Sequence, residues 1–189
     1  IFELPGLQLP SRLNCAAELL DRHVAEGRGD RLCIQGAGVR WTYAELQAQA
    51  NRIAQVLVHE QGLVPGNRVL LRGGNSIGMA LAWLAVVKAG LVAVATMPLL
   101  RAGELAQIID KAKVSAALCD SLLADELQHC MTPGHASHVP CLKQMVQFRS
   151  EAADGLEQRM QRHNAAYTPH ATSRDDVCLI AFTSGTTGK

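Results

Sequence analysis

Between positions 68 and 119 short apolar runs alternate with helix-length segments, and this alternation constrains the fold more than any other feature of the chain. Arg68-Val69-Leu70-Leu71 reads as a strand, and Gly73-Gly74-Asn75 as the loop after it. Ile77 to Lys88 is a largely apolar helix stopped by Gly90, and Leu91 to Thr96 is a second strand. Ala102 to Ala112 places Leu105, Ile108, Ile109 and Ala112 on one helical face, and Val114 to Cys119 is a third strand. Strands apolar on both faces, joined by helices long enough for a crossover, predict an α/β domain with a largely parallel sheet flanked by helices.

The flanking segments extend this pattern. Asn14 to Glu26 carries Ala17, Leu20 and Val24 at helical spacing. Arg31 to Gln35 and Val39 to Trp41 read as a hairpin around Gly36-Ala37-Gly38. Thr42 with Glu45 three residues on forms a capping box, followed by Tyr43, Leu46, Ala50, Ile53, Ala54 and Leu57 on one face. From Ser121 to Arg174 the periodicity weakens. Pro133-Gly134 and Pro140 mark loops, and Gly155 to Ala166 is expected as a polar helix. Val177 to Phe182 is apolar on both faces and is expected as a central strand.

Composition sets limits on function. The 189 residues suit one domain or part of one, with 18 Lys+Arg against 17 Asp+Glu and a formal net charge of +1. That balance removes the electrostatic reason to expect nucleic acid or an anionic membrane as partner, and 4% aromatics are too few for a base-stacking surface. The most membrane-like stretch, Met79 to Leu100, is broken by Lys88, Gly90 and Pro98 and reads as a buried helix and strand, so no membrane span is expected. The N-terminus has no basic and apolar signal pattern, and six scattered cysteines without a CxxC are expected to be reduced, which points to a cytoplasmic location.

The last apolar strand runs into Thr183-Ser184-Gly185-Thr186-Thr187-Gly188-Lys189. Gly185 and Gly188 let the backbone turn tightly beside an anion, consecutive N–H groups form a nest, and three hydroxyls add donors. The spacing is not that of a Walker A loop, because only two residues separate the glycines. A polar turn at a strand end accounts for the same residues equally well on local physics alone.

Phe182 to Gly188 resembles the phosphate-loop signature of the adenylate-forming superfamily, which includes acyl-CoA and aryl-CoA synthetases, luciferases and peptide-synthetase adenylation domains. Trp41 to Leu46 with Ala50 to Ala54, Gly66 to Val69, and Ala82 to Gly90 are similar to the early helix, strand and next helix of that family in order and spacing. Ala93 to Arg101 looks most like the benzoate- and 2-aminobenzoate-CoA ligase branch, while Asn75-Ser76-Ile77-Gly78 departs from the loop usual there.

The resemblance implies a part of the large N-terminal domain of an adenylate-forming enzyme, covering 1–189 and ending just after the phosphate loop, without the C-terminal domain. It implies an ATP-dependent acid–CoA ligase that joins a carboxylate to ATP, releases pyrophosphate, and passes the acyl group to coenzyme A with loss of AMP. Thr183, Ser184, Gly185, Thr186, Thr187 and Gly188 are the expected ATP phosphate-binding residues, with Mg²⁺ neutralising charge as pyrophosphate leaves. The family's catalytic and adenine-contacting residues lie downstream, so no catalytic residue is expected in this chain, and the piece alone is expected to be inactive, with apolar surface exposed at its last strand. Two other readings stay open: a stand-alone phosphate- or nucleotide-binding module, and an adenylation domain that loads a carrier protein.

Other clusters have simpler readings beside the functional ones. His129, Cys130, His135, His138 and Cys141 are dense enough to raise zinc, but Pro133, Gly134 and Pro140 favour a surface loop, and no metal site is expected. Arg101 follows a strand end where ligands contact open α/β sheets, yet a solvated arginine starting the next helix is the simpler reading. Trp83 and Met79 read as core, and Asp175-Asp176 as a solvated edge.

Overall fold

Alternate residues of the apolar runs point to opposite faces of one sheet, and helices cover both faces. The computed structural model describes residues 9–36 and 38–182. Strands β3 (Arg68–Arg72), β4 (Val92–Thr96), β5 (Ala116–Asp120), β6 (Gln144–Phe148) and β7 (Leu179–Ala181) form a fully parallel sheet in the order β6-β5-β3-β4-β7. Val69, Leu71, Ala93, Ala116 and Leu118 face one core with α2 (Tyr43–Gln55) and α3 (Ile77–Lys88). Leu70, Val94, Ala117 and Cys119 face a second core with α4 (Ala102–Ala112) and α5 (Ala124–Met131). The strand period of two therefore divides one set of residues between two cores, giving three layers.

The hairpin is a separate two-stranded sheet, β1 (Leu32–Gly36) against β2 (Val39–Thr42), with Ile34 opposite Trp41 and Gly36 opposite Val39. The first helical segment is a π-helical turn, Ala17–Asp21, followed by α1 (Arg22–Ala25). Asn14 starts it: its Oδ1 accepts the N–H groups of Ala16 and Ala17 at 3.1 and 3.2 Å, which satisfies two orphan donors. Gly90 ends α3 with φ +73°, and a Cβ there would lie 2.6 Å from the His170 ring, so both conformation and space require glycine.

Helix α2 begins on the capping box expected from its sequence. Thr42 Oγ1 accepts the Glu45 N–H at 3.2 Å, and Glu45 Oε2 accepts the Thr42 N–H at 2.8 Å. The Thr42 backbone N–H is the main reason that the Glu45 carboxyl sits below its ordinary pKa. The stabilisation is therefore present above the unfolded pKa and disappears as pH falls through the lowered folded value. Thr42→Ala is expected to cost about 1 kcal/mol, read as a lower urea midpoint with an unchanged denaturant slope.

Two expected elements differ. The polar helix over 155–166 contracts to α6 (Leu156–Met160). Side chains of α2 take the backbone carbonyls that would have continued it: Asn51 Nδ2 donates to Ala165 O at 2.8 Å, Gln55 Nε2 to Asn164 O at 2.7 Å, and Arg52 Nε to His163 O at 3.3 Å. The run 177–182 yields a short strand, β7, which pairs in parallel with β4 among the described residues. Val177 and Leu179 are exposed, while Ile180 and Phe182 rest on the second core.

Candidate functional site at the carboxyl edge of the sheet

All strands of the sheet run in one direction, so the loops that follow them gather at one edge. Strand β3 feeds α3 on one face and its neighbour β4 feeds α4 on the other, which makes the gap between their carboxyl ends the topological switch point. In parallel α/β sheets this is where ligands are received.

Here the gap is filled from within by Arg72, the last residue of β3, which is 1% exposed. Its Nε donates to Leu123 O at 3.1 Å and its Nη1 to Met97 O at 3.3 Å. Its Nη2 donates to Pro98 O at 3.1 Å and Leu100 O at 2.9 Å. Burial pulls its pKa down, but a guanidinium starts so high that it keeps its charge. The planar fork thus ties the loop after β4 to the turn after β5 without a carboxylate partner. Thr96 Oγ1 adds a 3.1 Å bond to Leu71 O at the same level. A cavity of about 310 Å³ lies over this staple, lined by Arg72, Pro98, Leu100, Leu123 and Glu126 among others.

Arg101, singled out in the sequence, stands at the start of α4 with its side chain 80% exposed. Its Nη1 donates to Glu126 Oε1 at 2.7 Å, and Glu126 Oε2 accepts the Ala102 N–H at 2.8 Å. Arg101 and then the Ala102 N–H hold the Glu126 carboxyl below its ordinary pKa. At the same edge Asp120 is buried, accepting the Leu122 N–H at 3.1 Å and an Arg149 Nη1 bond at 3.1 Å.

Strand β7 reaches this edge beside β4, with Ala95 opposite Ala181, so Phe182 leads the chain out next to the 97–101 loop. Thr183, Ser184, Gly185, Thr186, Thr187 and Gly188, the expected phosphate loop, lie outside the described residues.

The histidine–cysteine cluster does not converge. His129 and His135 stack with ring centroids 4.5 Å apart, and Cys130 is buried with Sγ donating to Ala102 O at 3.4 Å. Among the described residues no group of three or more His, Cys, Asp or Glu is placed to hold a metal ion. Met79 and Trp83 pack partly buried against the first core. Asp175 is solvated and Asp176 Oδ2 accepts the Ser173 N–H at 2.7 Å, so this pair caps a turn.

Reasoning from sequence missed Arg72 and a second buried charge, Lys88. Lys88 Nζ, with its side chain 0% exposed, donates to Asp21 Oδ1 at 2.8 Å and Asn51 Oδ1 at 2.7 Å. The available signal was a lone charge at the end of each apolar run.

The AMP-binding enzyme family model matches residues 20–189, nearly the whole chain and through the expected phosphate loop. The chain belongs to the AMP-binding enzyme family. A benzoate–CoA ligase of Thauera aromatica is 28% identical over 97% of this chain and 34% of its own length. The anthranilate CoA ligase AuaEII, solved with anthranoyl-AMP, superposes with a TM-score of 0.84 at 20% identity, over 95% of this chain and 33% of that one; this likeness shows the fold. ATP-bound MatB from Rhodopseudomonas palustris superposes with a TM-score of 0.77 at 28% identity, over 93% of this chain and 33% of that one. The AMP-binding chain thus spans about a third of the length of these relatives. Among its described residues no helix is long and apolar enough to cross a membrane.

Proposed function

We propose that the chain is the N-terminal part of the AMP-binding domain of an ATP-dependent acid–CoA ligase acting on an aryl acid such as benzoate or 2-aminobenzoate. A carboxylate oxygen attacks the α-phosphorus of ATP and pyrophosphate leaves; the coenzyme A sulfur then attacks the acyl carbon and AMP leaves. The observation that carries this reading is the family match through the phosphate loop. The parallel pairing of β7 with β4 supports it, since it delivers the chain to the edge where α/β sheets receive ligands. The aryl preference rests on the benzoate–CoA ligase likeness and on the segment Ala93 to Arg101.

Thr183 to Gly188 would cradle the β- and γ-phosphates through backbone N–H groups and hydroxyls. Arg72 would act indirectly, fixing the 97–100 carbonyls and so the floor beside that loop. Mg²⁺ would enter with ATP. The enzyme is proposed to be cytoplasmic, as its scattered cysteines without a CxxC suggest, and the chain alone is proposed to be inactive.

The test is thioester formation by the full-length polypeptide containing this chain, with benzoate, 2-aminobenzoate and acetate. At least about tenfold higher kcat/KM for the aryl acids is expected, a difference of about 1.4 kcal/mol in transition-state binding. Equal rates with acetate overturn the aryl reading, and acid-dependent AMP release without thioester on coenzyme A points to a carrier-protein acceptor. In the same polypeptide Gly188→Val is expected to lower acid-dependent ATP–pyrophosphate exchange by about 10²–10³-fold, the usual loss when a preorganised anion donor is displaced. Unchanged exchange removes the phosphate-holding role from the loop.

A further inference from the structure

Two of the six cysteines, Cys15 and Cys178, line one groove away from the carboxyl edge. Cys15 opens the first helical segment, and Cys178 immediately precedes β7, the strand that leads into Thr183. The segment before Cys15 is clamped to the 170–174 stretch that leads to Cys178. Leu13 N donates to Thr172 O at 2.9 Å and Thr172 Oγ1 to Leu13 O at 2.6 Å. Arg174 N donates to Ser11 O at 3.1 Å, and Asn14 Nδ2 to His170 O at 3.0 Å. Cys178 O accepts the Ala93 N–H at 3.0 Å, which seats it at the start of β7. Both side chains are half-buried, pack against the same core, and line one solvent-open groove of about 420 Å³ with Leu13, Val87, Leu91 and His170.

We propose that Cys15 and Cys178 are an oxidative modification site, closing to an intramolecular disulfide when the protein meets a peroxide and reopening with thiol reductant. One sulfur attacks a peroxide oxygen and the O–O bond breaks, giving a sulfenic acid and water. The second sulfur attacks the first, the S–O bond breaks, and a second water leaves with the remaining thiol proton. Each sulfur loses one electron, and the peroxide takes up both.

The other four cysteines are poorly suited to this chemistry. Burial pushes the Cys119 thiol up to about 12 and the Cys130 thiol up to about 11, and Cys130 is held on backbone carbonyls. Cys33 lies on β1 beside Tyr43, and Cys141 Sγ contacts Ile109 O at 3.7 Å on the opposite side of the sheet, and neither lines the groove that Cys15 and Cys178 share. The Cys15 thiol is raised by burial and then by Cys178, which places the two sulfurs within each other's influence and favours slow attack near neutrality, faster as pH rises. The bond fixes the first helical segment to the strand that enters the candidate phosphate loop.

The test uses the full-length polypeptide containing this chain, reduced, freed of reductant and treated with hydrogen peroxide. Loss of two of the six free thiols of this segment is expected by peptide mapping, with one cross-linked peptide joining Cys15 to Cys178, a higher thermal midpoint and full reversal by dithiothreitol. Cys15→Ser and Cys178→Ser each abolish the cross-link, whereas Cys33→Ser leaves it intact. The inference is overturned if all six thiols survive, if the peptide joins another pair, if the product is a disulfide dimer, or if either single variant still forms the bond. It does not depend on the proposed ligase reaction, and all its readouts are independent of catalysis.

Discussion

Arg72→Met is expected to destabilise the chain by about 3–5 kcal/mol, because it strips one guanidinium from four backbone carbonyls at once. The methionine stem restores most of the packed volume, so the loss isolates the polar contacts rather than a cavity. The carbonyls of Met97, Pro98 and Leu100 come from one loop and that of Leu123 from another, and of these Met97 O also accepts the Leu100 N–H at 3.3 Å. Arg72→Lys is expected to recover less than half of the loss, since an ammonium on one stem cannot span four acceptors that the planar fork meets together. Urea unfolding of the three proteins measures this. Wild-type stability in Arg72→Met contradicts the staple.

The second large effect is an asymmetry within the buried ion pair. Asp21→Ala leaves the Lys88 ammonium wholly buried with Asn51 Oδ1 as its remaining partner, and is expected to cost about 3–5 kcal/mol. Lys88→Met removes the charge itself and keeps the stem. Asp21, with its side chain 19% exposed, can then hydrate, so about 1–2 kcal/mol is expected. Burial lowers the Lys88 pKa, with the Asp21 hydrogen bond opposing it, so Asp21→Ala also lets the lysine lose its proton at lower pH. A double-mutant cycle checks both numbers. Equal costs for the two substitutions, or a larger one for Lys88→Met, contradict the picture of a desolvated lysine held by a partly wet carboxylate.

Neither charge was legible as a structural element, for the same physical reason. Arg72 and Lys88 each end an apolar run, where a charged residue reads as the return to solvent. Their partners are distant in sequence, at 97–100 and 123 for Arg72 and at 21 and 51 for Lys88, and no local pattern announces them. The frame itself was legible because its signals are local. Helices α3 and α4 match the expected bounds, since Ser76 Oγ accepts the Met79 N–H at 3.2 Å and Gly90 supplies the left-handed stop. Strand β6 and helix α5 were not anticipated: Gln144 and Gln147 break the apolar run of an edge strand, and α5 is only eight residues long. The run at 177–182 was legible as a strand because its side chains are apolar on both faces, and Leu179–Ala181 pairs with β4.

The candidate site divides along the same line. The expected phosphate loop was read as a resemblance carried by Phe182 to Gly188; the family model covers these positions, and Thr183 to Gly188 lie outside the described residues. Its supporting floor was not, because the switch point is closed by an arginine whose role exists only once β3, β4 and β5 are side by side. On the reading proposed above, Arg72 would belong to the scaffold beside the expected loop, and Thr183 to Gly188 would make the phosphate contacts.

Acid-dependent ATP–pyrophosphate exchange by the full-length polypeptide containing this chain tests the central claim most directly. With Mg²⁺ and a panel of aryl and short aliphatic acids, exchange is predicted with benzoate-like acids and is predicted to be absent without acid. A folded protein that exchanges pyrophosphate with no acid of the panel would contradict the ligase reading and leave a phosphate-binding module in its place.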